Sequence, residues 1–220
     1  MTTLDLSLYA LVDPAVAGGR SLPGLAALIA ESATLVQLRD KHGSTRAMIE
    51  EARDIMAVLR PYGVPLLVND RVDVALIAGA HGVHIGWDDM DVADARRLLG
   101  ANAIIGLSIK TAEQAAAAPL HLLNYVAIGG VYATTSKDNV DAPIGIAGLR
   151  DLVAAIRARK PGYPVCAIAG ITAGNASDVI AAGADGVAVI SALSLAPDPA
   201  AAARQLRVAV DAALAKRGAA

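Results

Sequence analysis

The chain predicts a (β/α)8 TIM barrel, and three observations carry that prediction. First, eight short strand-like runs alternate with helical patterns along 220 residues, the signature of parallel sheets joined by helical crossovers. Second, the runs are apolar and often β-branched rather than alternating, as strands buried on both faces are. Third, the turn after the first run, VDPAVAGGR, has no GxGxxG. An open doubly wound sheet usually carries its phosphate turn there. Here the small-residue turns follow runs seven and eight, where barrels frequently build a phosphate site.

The strand-like runs, in order, are 7–13 (SLYALVD), 34–40 (TLVQLRD), 65–70 (PLLVND), 82–86 (GVHIG), 103–109 (AIIGLSI), 125–131 (YVAIGGV), 164–170 (PVCAIAG) and 186–193 (GVAVISAL). Helical spacing is clearest in 44–60, where Met48, Ile49, Ala52, Ile55, Met56 and Leu59 recur behind a Ser44 N-cap. Gly79, Gly100 and Gly183 follow the helical patterns at 71–78, 91–99 and 174–182, as C-terminal caps require. The last helix opens on Asp198–Pro199, a cap followed by proline in the first turn, and would bury Leu206, Val210 and Leu214. The alanine-rich tail 199–220 reads as a continuation of this helix. No linker or low-complexity segment splits the chain, so residues 1–220 are expected to form one domain.

Apolar residues make up 55% and charged residues 18%, enough for a large core and too apolar for disorder. Phe is absent and aromatics are 3%, so Ala, Val, Ile and Leu must fill the interior. A net charge of −2 gives no reason to expect nucleic acid or a membrane surface as partner. No run approaches the roughly 18 apolar residues of a spanning helix. The N-terminus lacks the basic and apolar blocks of a signal peptide. The single cysteine, Cys166, lies in an apolar run and reads as core packing. A soluble cytoplasmic protein is the expectation, with homo-oligomerisation left open.

The chemistry gathers at the ends of the runs. Asn69–Asp70 ends the third and Asp88–Asp89 follows the fourth. On neighbouring parallel strands these carboxylates would meet at one mouth, where a hard cation could hold a phosphorylated substrate. Asp70 is also a candidate helix cap, and Asp88, Asp89 and Asp91 compete for the roles of ligand and cap. After run two, Gln37 and Arg39 share a strand face with Lys41 just beyond, a set suited to a diphosphate. Solvated loop charge is the plain alternative. His84 reads as a packed, hydrogen-bonded histidine. Ser108 ends run five, and the long loop after run six offers Thr134, Thr135, Ser136 and Lys137 as a phosphate-contacting lid. Ala169-Gly170 after run seven and Ile190-Ser191 after run eight permit an anion to approach backbone N–H groups. Together they describe a site for two phosphorylated substrates, with no Ser/His/Asp or Cys/His nucleophile arrangement.

Seven motifs in order, QLRDK (37–41), VND (68–70), HIGWDD (84–89), GLS (106–108), TTSK (134–137), AGI (169–171) and GADGVAVIS (183–191), resemble the thiamine-phosphate synthase family. The resemblance runs from about residue 8 to 207. It implies a (β/α)8 barrel that joins hydroxymethylpyrimidine diphosphate to a thiazole phosphate, giving thiamine phosphate and diphosphate. It further implies that Gln37, Arg39, Lys41, Asn69, Ser108 and Lys137 hold the pyrimidine diphosphate and that Asp70 and Asp89 bind Mg2+. By the same resemblance Thr134, Ser136, Gly170, Ile190 and Ser191 hold the thiazole phosphate. Three positions depart from the family pattern. Trp87 replaces the usual Gln, Ser136 a second Thr, and Lys110 stands where many relatives carry His. A thiazole tautomerase on the same fold is the alternative, disfavoured because it uses that histidine and lacks the diphosphate cations. A catalytically silent binder of thiazole phosphate or thiamine phosphate is a third reading, suggested by Trp87.

Overall fold

In the computed structural model, residues 4–134 and 142–219 are described. Among them eight parallel strands close into a barrel in sequence order. They are β1 (Leu8–Val12), β2 (Leu35–Leu38), β3 (Leu66–Asn69), β4 (Gly82–Ile85), β5 (Ile104–Ile109), β6 (Tyr125–Ile128), β7 (Val165–Ile168) and β8 (Gly186–Val189). The ring closes where β1 pairs with β8, Leu8 opposite Val187 and Ala10 opposite Val189. The eight predicted runs all hold a strand, each trimmed at one end or both.

The helices are α1 (Leu22–Ile29), α2 (Thr45–Leu59), α3 (Val72–Ala78), α4 (Val92–Leu99), α5 (Ala112–Ala117), α6 (Gly145–Arg159), α7 (Ala176–Ala181), α8 (Ser191–Ser194) and α9 (Pro199–Gly218). The run 186–193 therefore divides. Its strand stops at Val189 and its tail turns into α8, a distinction that apolar periodicity cannot make over so few residues. Ser44 caps α2, accepting from Ala47 N, and α2 buries Met48, Ala52, Ile55 and Leu59 as its spacing predicts. Asp198 caps α9 by accepting from Ala201 N at 2.9 Å. Leu206 and Val210 are buried, but Leu214 only partly.

Strand alternation sorts the core into two layers. One set of side chains packs outward against the helices. The other, including Tyr9, Leu11, Leu35, Leu67, Tyr125, Cys166 and Ala188, fills the barrel interior. Cys166 is fully buried and desolvation raises its thiol pKa, in keeping with packing rather than reactivity. Gly106 makes room for this interior: a Cβ there would lie 2.1 Å from Cζ of the Tyr125 ring. Among the described residues no helix is long and apolar enough to cross a membrane.

Candidate active site

The interior-facing register leads upward to the C-terminal ends of the strands, and most of the predicted residues meet there. On β2, Gln37 is 1% exposed and its amide Nε2 donates to the Tyr9 hydroxyl. Arg39, two residues on, forms an ion pair with buried Asp13 at the end of β1. Lys41 forms one with Asp70 at the end of β3. Both cations of this loop are thus held at the mouth by carboxylates of neighbouring strands. They are not free loop charges.

Asp70 adopts a φ of 60°, a left-handed conformation uncommon for a residue other than glycine. It is not the cap of α3. That position belongs to Arg71, whose side chain makes no cap bond and pairs instead with Asp73 and Thr45. The unusual backbone aims a carboxylate into the mouth, where strain of this kind is often found. Burial raises the Asp70 pKa. Lys41 opposes that rise, and the nearby Asp89 carboxylate adds to it. The rivalry after β4 is also resolved. Asp91 caps α4, accepting from Ala93 N at 2.8 Å, whereas Asp89 turns back to accept from Gly86 N at 2.7 Å.

Two carboxylates within reach of one another, one of them carrying a raised pKa, form a donor set that a hard divalent cation would relieve. Among the described residues no cluster of three or more His, Cys, Asp or Glu exists. The pair nonetheless suits Mg2+, which commonly takes one or two carboxylates and completes its shell with water and substrate phosphates.

A continuous polar chain crosses the barrel beneath the mouth. From Gln37 it passes to Tyr9, then to the Tyr125 hydroxyl at 2.9 Å. The Tyr125 hydroxyl meets His84 Nδ1 at 2.9 Å, and His84 Nε2 meets Ser108 Oγ at 2.9 Å. His84 is therefore the packed, hydrogen-bonded histidine its sequence context predicts. Gln37 Oε1 is left buried without a partner among the described residues. Trp87, 41% exposed, lies over this end of the chain, its indole Nε1 donating to the Ser108 carbonyl at 2.8 Å. Asn69 is buried at the end of β3, next in register to His84.

The opposite side of the mouth is built by backbone. Ala169 (φ 92°) and Gly170 (φ 66°) turn the chain sharply after β7. A Cβ on Gly170 would lie 2.6 Å from the Ala133 carbonyl oxygen, so glycine is what lets the β6 loop approach. Tyr132 N donates to Ala169 O at 3.1 Å, two residues before Thr134. Asn175 closes the turn, donating to Gly170 O and accepting from Thr172 N. Ile190 is buried just before Ser191 opens α8, and Arg20 holds that helix through the Ser194 carbonyl at 3.2 Å. Ser136 and Lys137 lie outside the described residues.

Asp13, Tyr9 and Tyr125 were not anticipated as site residues. The signal for the first two was period-two alternation, which sets 9, 11 and 13 on one face of LYALVD.

Comparison with known proteins finds relatives over nearly the whole chain. Residues 8–193 match the family model described as thiamine monophosphate synthase. The chain is 52% identical to the thiamine-phosphate synthase of Agrobacterium fabrum over 221 residues, covering 99% of each chain. It is 49% identical to that of Chloroflexus aurantiacus over 208 residues, covering 94% of each. It resembles the solved thiamine phosphate pyrophosphorylase of Pyrococcus furiosus with a TM-score of 0.82 and 34% identity, over 96% of this chain and 98% of that one.

Proposed function

Since the chain belongs to the thiamine monophosphate synthase family and is a transferase of thiamine phosphate synthesis, we propose that it condenses hydroxymethylpyrimidine diphosphate with a thiazole phosphate in an Mg2+-dependent reaction that releases diphosphate. The observation that carries this reading is the meeting of Lys41, Asp70 and Asp89 at adjoining strand ends.

Asp70 and Asp89 would hold the ion, which when bound supplies positive charge to the leaving diphosphate. The remaining contributions come from this chain's own groups. Arg39 and Lys41, held here by Asp13 and Asp70, are positioned to exchange those carboxylates for phosphate oxygens. Lys137 joins them by the family resemblance. These cations stabilise the charge that develops as the C–O bond breaks and its electron pair leaves with diphosphate. The aminopyrimidine ring supports the resulting methylene cation, and the thiazole nitrogen lone pair closes the new C–N bond. No protein base is required. Thr134, Gly170, Ile190 and Ser191 would hold the thiazole phosphate, with backbone donors on the wall after β7 and β8, and Ser136 joins them by the family resemblance. We place the reaction in the cytoplasm.

The test is product formation from both heterocyclic substrates with Mg2+ and with EDTA, read as fluorescent thiochrome. Thiamine phosphate that requires Mg2+ is the expected result. Product unaffected by EDTA would remove the metal from the reading, and no product in either arm would overturn it.

A further inference from the structure

The five-residue chain beneath the mouth has a property that none of its members has alone. Tyr9 and Tyr125 are fully buried, and desolvation holds both phenols protonated, so each contributes one proton. A neutral imidazole also donates through one ring nitrogen and accepts through the other. Each internal member has a hydrogen-bonding neighbour on either side, and both ring nitrogens of His84 are taken by Tyr125 and Ser108. The chain can therefore be fully satisfied in only two ways.

In one, the Gln37 NH2 donates to Tyr9, Tyr9 to Tyr125 (the reverse of the direction that bond takes in this structure), Tyr125 to His84 Nδ1, and His84 Nε2–H to Ser108. This leaves the Ser108 proton to donate outward and the Gln37 carbonyl oxygen to accept. In the other, every bond reverses, Ser108 spends its proton on His84, and the flipped Gln37 amide has only its NH2 to offer. Any mixture either leaves a buried hydroxyl proton unbonded, as when Gln37 and Tyr125 both donate to Tyr9, or sets two oxygens lone pair to lone pair, and both are costly.

We infer that this chain is a one-way hydrogen-bond wire, set by the anion at Ser108, which dictates the face that the Gln37 amide offers to the heterocycle. The inference rests on the reading of Ser108 as a diphosphate contact. A phosphate oxygen only accepts, so Ser108 must donate to it, and the first polarity follows. Gln37 then presents Oε1, the atom that is buried without a partner among the described residues. An exocyclic amino group satisfies it, and a hydroxyl or carbonyl substituent in the carbonyl form meets it oxygen to oxygen. Tyr9, Tyr125 and His84 are thus positioning residues for substrate choice. The amide is 1% exposed, so the heterocycle reaches it only by parting the side chains above.

Two measurements test this. In the full chain with Mg2+ and inorganic pyrophosphate, two-bond 1H–15N correlation of the imidazoles, with His84 assigned by its loss in His84→Asn, should show the Nε2–H tautomer. The Nδ1–H tautomer or an imidazolium in that complex would overturn the proposal. Second, Tyr125→Phe cuts the wire. Discrimination in kcat/KM between the native pyrimidine diphosphate and an analogue bearing oxygen in place of the amino group should fall by about tenfold, the scale of one hydrogen bond. Unchanged discrimination in a folded Tyr125→Phe would overturn it. Wild-type turnover of the native substrates reports on the family reaction separately, so the two readings fail distinguishably.

Discussion

The Lys41 ammonium sits on the Asp70 carboxylate, so a cation predicted for the diphosphate and an aspartate predicted for the metal neutralise each other across neighbouring strand ends. Despite this partner the Asp70 pKa is raised, because burial outweighs Lys41 and Asp89 adds to the rise. A carboxyl raised above its unfolded value binds its proton more tightly in the folded chain. The stability it contributes is present below the ordinary carboxylate range and is lost as pH climbs through the raised value.

Asp70→Asn should therefore leave the fold at least as stable as wild type at pH 7.5, with any advantage shrinking as pH falls and the wild-type carboxyl becomes neutral. Asparagine also accepts the left-handed backbone at this position. Turnover should fall by about a hundredfold or more, the scale of losing charge stabilisation at a leaving group. Calorimetry across a pH series and the thiochrome assay check the two halves. A Tm clearly below wild type at pH 7.5 would contradict the account.

Asp89→Asn keeps an oxygen for Gly86 N and so keeps the loop. It removes a negative charge beside Asp70, whose carboxyl should then titrate at lower pH in a 13C NMR titration. Mg2+-dependent turnover should vanish with the Tm nearly unchanged. Full activity in this variant would reduce Asp89 to a staple of its own turn.

Asp13→Asn retains the oxygen that accepts from Ala15 N but strips Arg39 of its buried partner. Breaking one side of a buried pair costs about 3 kcal/mol, so the urea midpoint should drop. The KM for the pyrimidine diphosphate should shift with it, since Asp13 sets where the guanidinium rests. A variant matching wild type in both measurements would show that Arg39 does not depend on Asp13.

Gly106→Ala puts a methyl into the Tyr125 ring. Overpacking of this kind costs about 1–3 kcal/mol, and here it also moves a link of the polar chain. Chemical denaturation should show the loss, and Gly106→Ala combined with Tyr125→Phe should recover little of it, because the ring rather than the hydroxyl fills the space. Substantial recovery in the double variant would place the clash at the hydroxyl.

The barrel was legible because each strand run is a local feature and so are the caps Ser44 and Asp198; Asp91 takes a capping role that the sequence left open among Asp88, Asp89 and Asp91. The Asp70–Asp89 meeting was legible too, since consecutive strands of a barrel adjoin. Tyr9 and Tyr125 were hidden because their partnership spans 116 positions and each sits in a run that reads as plain core. Asp13 was hidden for another reason. It caps a short turn by accepting from Ala15 N, and nothing in the local sequence distinguishes a capping aspartate from one that also anchors an arginine across the sheet.

The β1–β8 seam carries a consequence for how the chain is made. Its first and last strands, Leu8 beside Val187, meet only after nearly the whole polypeptide has left the ribosome. A nascent chain with β1 through β6 already emerged has Arg39, Lys41, Asp70 and Asp89 but lacks the Gly170 and Ile190 wall that would face them. The mouth is therefore completed last, when β8 closes against β1.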